Sequence, residues 1–87
     1  MIEVNVYINR EHRIASLNAI RKSPLGKPSK NQKCQYDLRI DTIVVDTFVF
    51  PYGDGVALAI HMLELYKANK HNYDAMILYQ ITNTKGK

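Results

Sequence analysis

Residues 2–9, IEVNVYIN, alternate without a break: Ile2, Val4, Val6 and Ile8 fall on one side, Glu3, Asn5, Tyr7 and Asn9 on the other. Only a strand, whose side chains point to opposite faces in turn, converts that spacing into one apolar and one polar surface. The chain is thereby committed to a sheet with one face packed and one face wet. Residues 33–41, KCQYDLRID, repeat the pattern, with Cys34, Tyr36, Leu38 and Ile40 opposed to Gln35, Asp37 and Arg39. The TIVVDTFVF that follows is β-branched and aromatic nearly throughout. Its apolar residues fall on both faces, Val44, Phe48 and Phe50 against Ile43, Val45 and Val49, which predicts a central strand covered on both sides. A tight hairpin around Asp41 and Thr42 joins the two strands.

Residues 13–22, RIASLNAIRK, admit two readings. As a helix they place Ile14, Leu17 and Ile20 at successive i+3 positions; as a strand they gather Ala15, Leu17 and Ala19 on one face. Alanine and leucine favour the helix by propensity, while a hairpin through the polar NREH favours the strand. The strand is taken, because a second hairpin then spans the segment that follows. PYGDG closes the sheet run, with Pro51 unable to donate to a ladder and Asp54 expected as the helix N-cap. A helix is predicted over 55–69, with Val56, Ala59, Ile60, Leu63 and Tyr66 as its main stripe and Leu58, Met62 and Leu65 broadening it. Asn69 is its expected C-terminal cap, KHNYD a turn and AMILYQIT a last strand.

These elements give an α+β fold: one compact domain over residues 1–87, an antiparallel sheet of four or five strands with one long helix packed on one face. If 13–22 is helical, the order becomes the ferredoxin-like β-α-β-β-α-β. Many RNA-binding domains share that order, but no RNP1-type run accompanies it here. The single cysteine, Cys34, excludes an intramolecular disulfide and fits a reducing, cytoplasmic setting. No secretory leader is legible, and the longest apolar run, VALAI, is far short of the roughly 20 residues of a membrane span.

Charge is unevenly placed. Eight basic residues lie between Arg10 and Arg39 against Glu11 and Asp37, whereas residues 40–66 hold four acids and no lysine or arginine. The densest stretch is RKSPLGKPSKNQK, residues 21–33, expected to form a mobile loop carrying Arg21, Lys22, Lys27, Lys30 and Lys33. Phosphate backbones reward such an array, because each neutralised phosphate releases condensed counterions. Tyr7 and Tyr52 are expected to be exposed and able to stack on bases, while Tyr36, Tyr66 and Tyr79 are expected in the core.

The remaining chemistries are weaker. His12, His61 and His71 have no spacing that pairs an acid with a base, and Asp37, Asp41 and Asp46 match no oxygen-ligand loop, so neither catalysis nor a metal or cofactor is expected. The sequence reads as a small, basic, non-enzymatic binding protein. Its expected partner is RNA or single-stranded nucleic acid, held by the 21–33 loop with Arg10, Arg13, Lys67 and Lys70 in support. The alternative is a protein-binding modulator, such as a phage- or plasmid-type inhibitor of a larger enzyme or ribonucleoprotein. The Ile-, Lys-, Asn- and Tyr-rich composition of AT-rich viral or plasmid genomes raises that alternative.

Overall fold

A computed structural model describes residues 3–10, 13–22, 28–53 and 55–85. Four strands, β1 (Glu3–Arg10), β2 (Arg13–Arg21), β3 (Lys33–Ile40) and β4 (Ile43–Pro51), precede one helix, α1 (Gly55–Lys85). The sheet is antiparallel in the order β1-β2-β3-β4, and the helix packs across one of its faces. The α+β fold expected from the sequence is therefore present, with residues 13–21 as strand and the sheet at four strands. The expected N-cap, Asp54, lies outside the described residues.

The core face follows the alternation. Ile8, the β2 residues Ala15, Leu17 and Ala19, and the β3 residues Cys34, Tyr36, Leu38 and Ile40 are all buried. On the other face Tyr7 and Ile14 are exposed. Asp41 turns the β3–β4 corner at a φ of 56°, a left-handed conformation that aspartate tolerates better than most residues. In that conformation its carboxylate takes over from a backbone carbonyl: Ser16 N–H donates to Asp41 Oδ1 at 3.1 Å while Asp41 N–H donates to Ser16 O at 2.7 Å. The β2–β3 ladder is thereby extended past its last regular pair.

β4 is an edge strand, which corrects the expectation of a central one. The apolar residues at both parities have a different cause, a β-bulge. Leu38 pairs with Asp46 but Arg39 pairs with Val44, leaving Val45 unpaired and resetting the alternation. Ile43 and Val45 before the reset, and Phe48 and Phe50 after it, thus all join the core, while Val44 and Val49 stay exposed. Apolar residues at both parities here reflect one face plus a bulge.

The helix also differs from the expected one in two ways. Leu58, Met62 and Tyr66 are buried, whereas Val56 and Ile60 point to solvent, so of the expected main stripe Tyr66 packs fully, together with Leu58 and Met62 of the expected flank. The reason is continuity: an i+4 row through 58, 62 and 66 continues to the buried Tyr73 and Ile77, while the 56–60 row runs into Glu64 and Lys67. Residues 70–85 are helical, so neither the KHNYD turn nor the AMILYQIT strand forms, and Tyr79 is exposed rather than in the core. Asn69 marks a kink instead of an end. Its backbone leaves the helical region (φ −122°, ψ 20°), and its side-chain amide donates to Leu65 O at 3.1 Å, one turn back.

Beyond the kink, the Tyr73 hydroxyl donates to Asp46 Oδ2 at 2.9 Å and ties the second half of α1 to the edge strand. Burial, followed by that bond to Asp46, holds the phenol well above its usual range. In the unfolded chain Tyr73 ionises near pH 10, while the folded chain retains the proton, so stability is full below pH 10 and falls as pH rises above it. Tyr73→Phe is expected to lower stability by about 1 kcal/mol at neutral pH, since Asp46 stays hydrated. It should also flatten the decline in denaturation midpoint above pH 10. An unchanged alkaline slope in the variant would count against the Tyr73–Asp46 anchor.

Candidate nucleic-acid interface

The end of the sheet where β2 exits and β3 enters is closed by hydrogen bonds outside the regular ladders. Lys22 N–H donates to Gln35 O at 2.9 Å, extending the β2–β3 pairing by a residue. Ser29 to Gln32 form a turn closed by Gln32 N–H to Ser29 O at 3.0 Å. That turn is fastened to the end of β4 twice, by Tyr52 N–H to Gln32 O and by Gly53 N–H to Lys30 O, both at 2.9 Å. The C-terminal part of the basic segment is thus built onto the sheet; residues 23–27, including Lys27, lie outside the described residues.

Gly53 is required by this closeness. A Cβ there would stand 2.8 Å from Lys30 O and 3.1 Å from Lys30 Cα, and would collide with the Lys30 side chain. Backbone cannot step aside as a flexible side chain can. Gly53→Ala is therefore expected to cost about 1–3 kcal/mol and to detach the turn that carries Lys30. Faster amide exchange at Gly53 and Tyr52, with the helix amides unaffected, is the readout; unchanged exchange would show that the turn absorbs the methyl.

The sequence-predicted cations fall into three groups. Arg21, Lys22, Lys30 and Lys33 share the loop end. Arg21 closes β2 on the core face, buried, with its guanidinium carbon 5.4 Å above the Tyr52 ring centroid, a cation–π geometry. Lys22 is half-exposed, its ammonium 3.7 Å from Asp37 Oδ1. Lys30 and Lys33 are exposed. Arg10 and Arg13 pair with each other at the opposite end of the sheet, about 25–30 Å away at strand rise. There the Arg13 guanidinium is held 3.0 Å from Asp41 Oδ2. Lys67 and Lys70 form the third group, exposed on the helix.

The helix-free face joins the first two groups. It carries Tyr7, Asn18 and Arg39 on neighbouring strands, with Asn18 opposite Arg39 in the register. Asn18 Nδ2 donates to Ser16 Oγ at 3.3 Å, leaving its carbonyl oxygen and the Arg39 Nε without hydrogen-bond partners among the described residues. Tyr7 stands 72% exposed beside them. Among the described residues, Asp37 lies on this side, opposite Ile20.

His61 packs on Phe48 and Phe50, with ring centroids 5.1 and 4.8 Å away. His71 is exposed on the helix, and His12 lies outside the described residues. Among the described residues, no group of three His, Cys, Asp or Glu side chains is placed to hold a metal ion, and no helix is long and apolar enough to cross a membrane. Two features escape sequence reasoning, the Arg21–Tyr52 stack and the Tyr73–Asp46 bond. Asp46, a lone acid in an apolar strand, and Tyr73, seven residues after Tyr66, are the signals the sequence offers for the second. Compared with protein-family models, with curated proteins and with solved structures, the chain matches none.

Proposed function

We propose that this chain is a non-enzymatic binding module that holds RNA or another single-stranded nucleic acid against the loop end of its sheet. The observation that carries the reading is the turn at Ser29 to Gln32, whose bonds to Tyr52 and Gly53 keep Lys30 beside Lys33 and on the same end as Lys22. Ammonium groups on a fixed frame neutralise successive phosphates with less loss of chain freedom than the same groups on a free loop. From Lys22 to Ser16, the partner of Tyr7, is roughly 20 Å along β2, a path for a few nucleotides past Asn18 and Arg39. The amide and guanidinium of that pair suit phosphate and base edges, and the exposed Tyr7 ring offers a stacking surface at the far end.

The test is the affinity of the intact chain for a generic single-stranded RNA of about a dozen nucleotides, followed through a salt series. Neutralising two or three phosphates gives a log–log slope of roughly −1.5 to −2 for a single strand. Absence of binding at low salt, or binding indifferent to salt, removes the reading.

A second reading, a modulator that docks on a larger protein, is favoured by the exposed Tyr7, Ile14, Val44 and Val49 on the helix-free face. Under it, a partner captured from host lysate survives nuclease treatment, and Val49→Asp releases that partner. A captured complex that nuclease treatment disperses speaks for the nucleic acid instead.

A further inference from the structure

Residues 75–81, AMILYQI, are apolar at six of seven positions, and the helix they form can lay only one side on the sheet. Tyr73 and Ile77 occupy that side. Leu78 and Tyr79 remain about two-thirds exposed, and Met76 and Ile81 more than two-fifths. A helix that is apolar all round is ordinarily one that is buried all round. At 1.5 Å per residue α1 is about 46 Å long against about 25–30 Å for the strands. It starts at the loop end and is already beside Asp46 at Tyr73, so its last turns reach the far limit of β4 and pass it. Among the described residues, the sheet has nothing further with which to cover them.

From this we infer that a second copy of the chain covers the outer stripe of residues 75–82, the two helix ends packing about a twofold axis. Ala75, Leu78 and Thr82, flanked by Tyr79 and Ile81, recur at i+3 and i+4 and form one seam. A seam of alternating small and large residues is self-complementary when two helices run antiparallel. Charge selects the occupant. No charged residue lies between Asp74 and Lys85, so this is a surface at which two chains of net charge +4 can meet without repulsion. The same neutrality offers nothing to a phosphate backbone or to a charged protein surface. Area is consistent: Leu78, Tyr79 and Ile81, the large side chains of the seam, leave roughly 350 Å² uncovered, within the size of a functional patch. With Ala75 and Thr82, a symmetric pair buries on the order of 900 Å², the size of a weak, concentration-dependent association.

The measurement is the mass of the full chain by light scattering or sedimentation, from about 1 to about 200 µM, a range that brackets a micromolar association. A rise toward twice the 10.0 kDa of one chain is expected. Leu78→Glu sets two carboxylates face to face across the twofold axis and should leave a monomer with its helix signal intact. Tyr79→Gln, a milder change, should weaken association at least tenfold, and Val49→Glu on the opposite side of the molecule should leave it unchanged. A wild-type chain that stays monomeric throughout overturns the inference. So does a dimer indifferent to both helix variants, or one broken by Val49→Glu alone. If the monomer instead binds neutral phosphatidylcholine vesicles, and Leu78→Glu prevents it, lipid is the occupant and the second copy is excluded.

Discussion

Tyr36→Ala is expected to leave a large fraction of the chain unfolded at room temperature. Tyr36 is fully buried on β3, opposite Phe48, whose ring stacks on its own at a centroid distance of 5.5 Å and 16° between planes. Phe48 and Phe50 in turn pack on His61 of the helix. The Tyr36 ring thus backs the layer through which β3, β4 and α1 meet. Truncating a buried aromatic residue to alanine costs about 3–5 kcal/mol, from the burial forfeited and the cavity left behind. For a domain of this size total stability is roughly 4–13 kcal/mol, so one substitution removes about a quarter of it at the least and most of it at the low end. The control is Tyr36→Phe. The Tyr36 hydroxyl is buried without a hydrogen-bond partner among the described residues, so removing it should be neutral or stabilising. Urea titration of the two variants beside the wild type decides. If Tyr36→Ala moves the midpoint no further than an exposed substitution does, the aromatic layer is not the centre of this core.

The sheet is legible in the sequence because its signal is local. Alternation in residues 2–9 and 33–40 needs no knowledge of partners, and the two-residue corner at Asp41 follows from the hairpin it must close. β4 and α1 are harder to read because their outcomes depend on packing between elements. The bulge at Val45 moves apolar residues of both parities to one face, and nothing in TIVVDTFVF announces the extra residue. Likewise AMILYQIT has strand propensity in its isoleucines and threonine. It is helical because Tyr73 and Ile77 extend the row begun by Leu58, Met62 and Tyr66. Asn69 does break the helix, as its sequence context suggests, but does not end it. The local geometry is that of a cap, while the packed row beyond it carries the chain on. Where local preference and tertiary placement disagree most, at residues 75–82, the outer face is also uncovered.

The candidate interface is legible only as composition. Sequence names the cations, but their separation into loop end, hairpin end and helix is set by strand lengths and register. Nor can sequence tell that Arg21, numbered among the loop cations, is the last core-face residue of β2 and lies against Tyr52. The same register shows that Arg13 and Lys22 already have carboxylates beside them.

That separation sharpens the second large effect. Replacing Lys22, Lys27, Lys30 and Lys33 together with glutamine is expected to abolish RNA binding at moderate salt, with a thermal midpoint close to wild type. Lysine meets phosphate as a point charge without the paired geometry of arginine, so affinity should fall nearly equally for all sequences. Single replacements should rank unequally. The exposed Lys30 and Lys33 are free to give their whole charge to phosphate, whereas Lys22 shares its charge with Asp37. Each phosphate that is no longer neutralised should reduce the salt slope by somewhat less than one unit. Lys67→Gln with Lys70→Gln is the discriminating control, since the helix group stands apart from the loop end. That pair should leave affinity within about twofold, because exposed charges beyond a Debye length of roughly 8–10 Å are screened. The backbone bonds of the Ser29 to Gln32 turn do not involve the ammonium groups, so the quadruple variant keeps its frame and the melt isolates charge from fold. Wild-type affinity and slope in the quadruple variant would exclude the loop end as the binding surface. A fall in affinity on changing the helix pair alone would move the site onto α1.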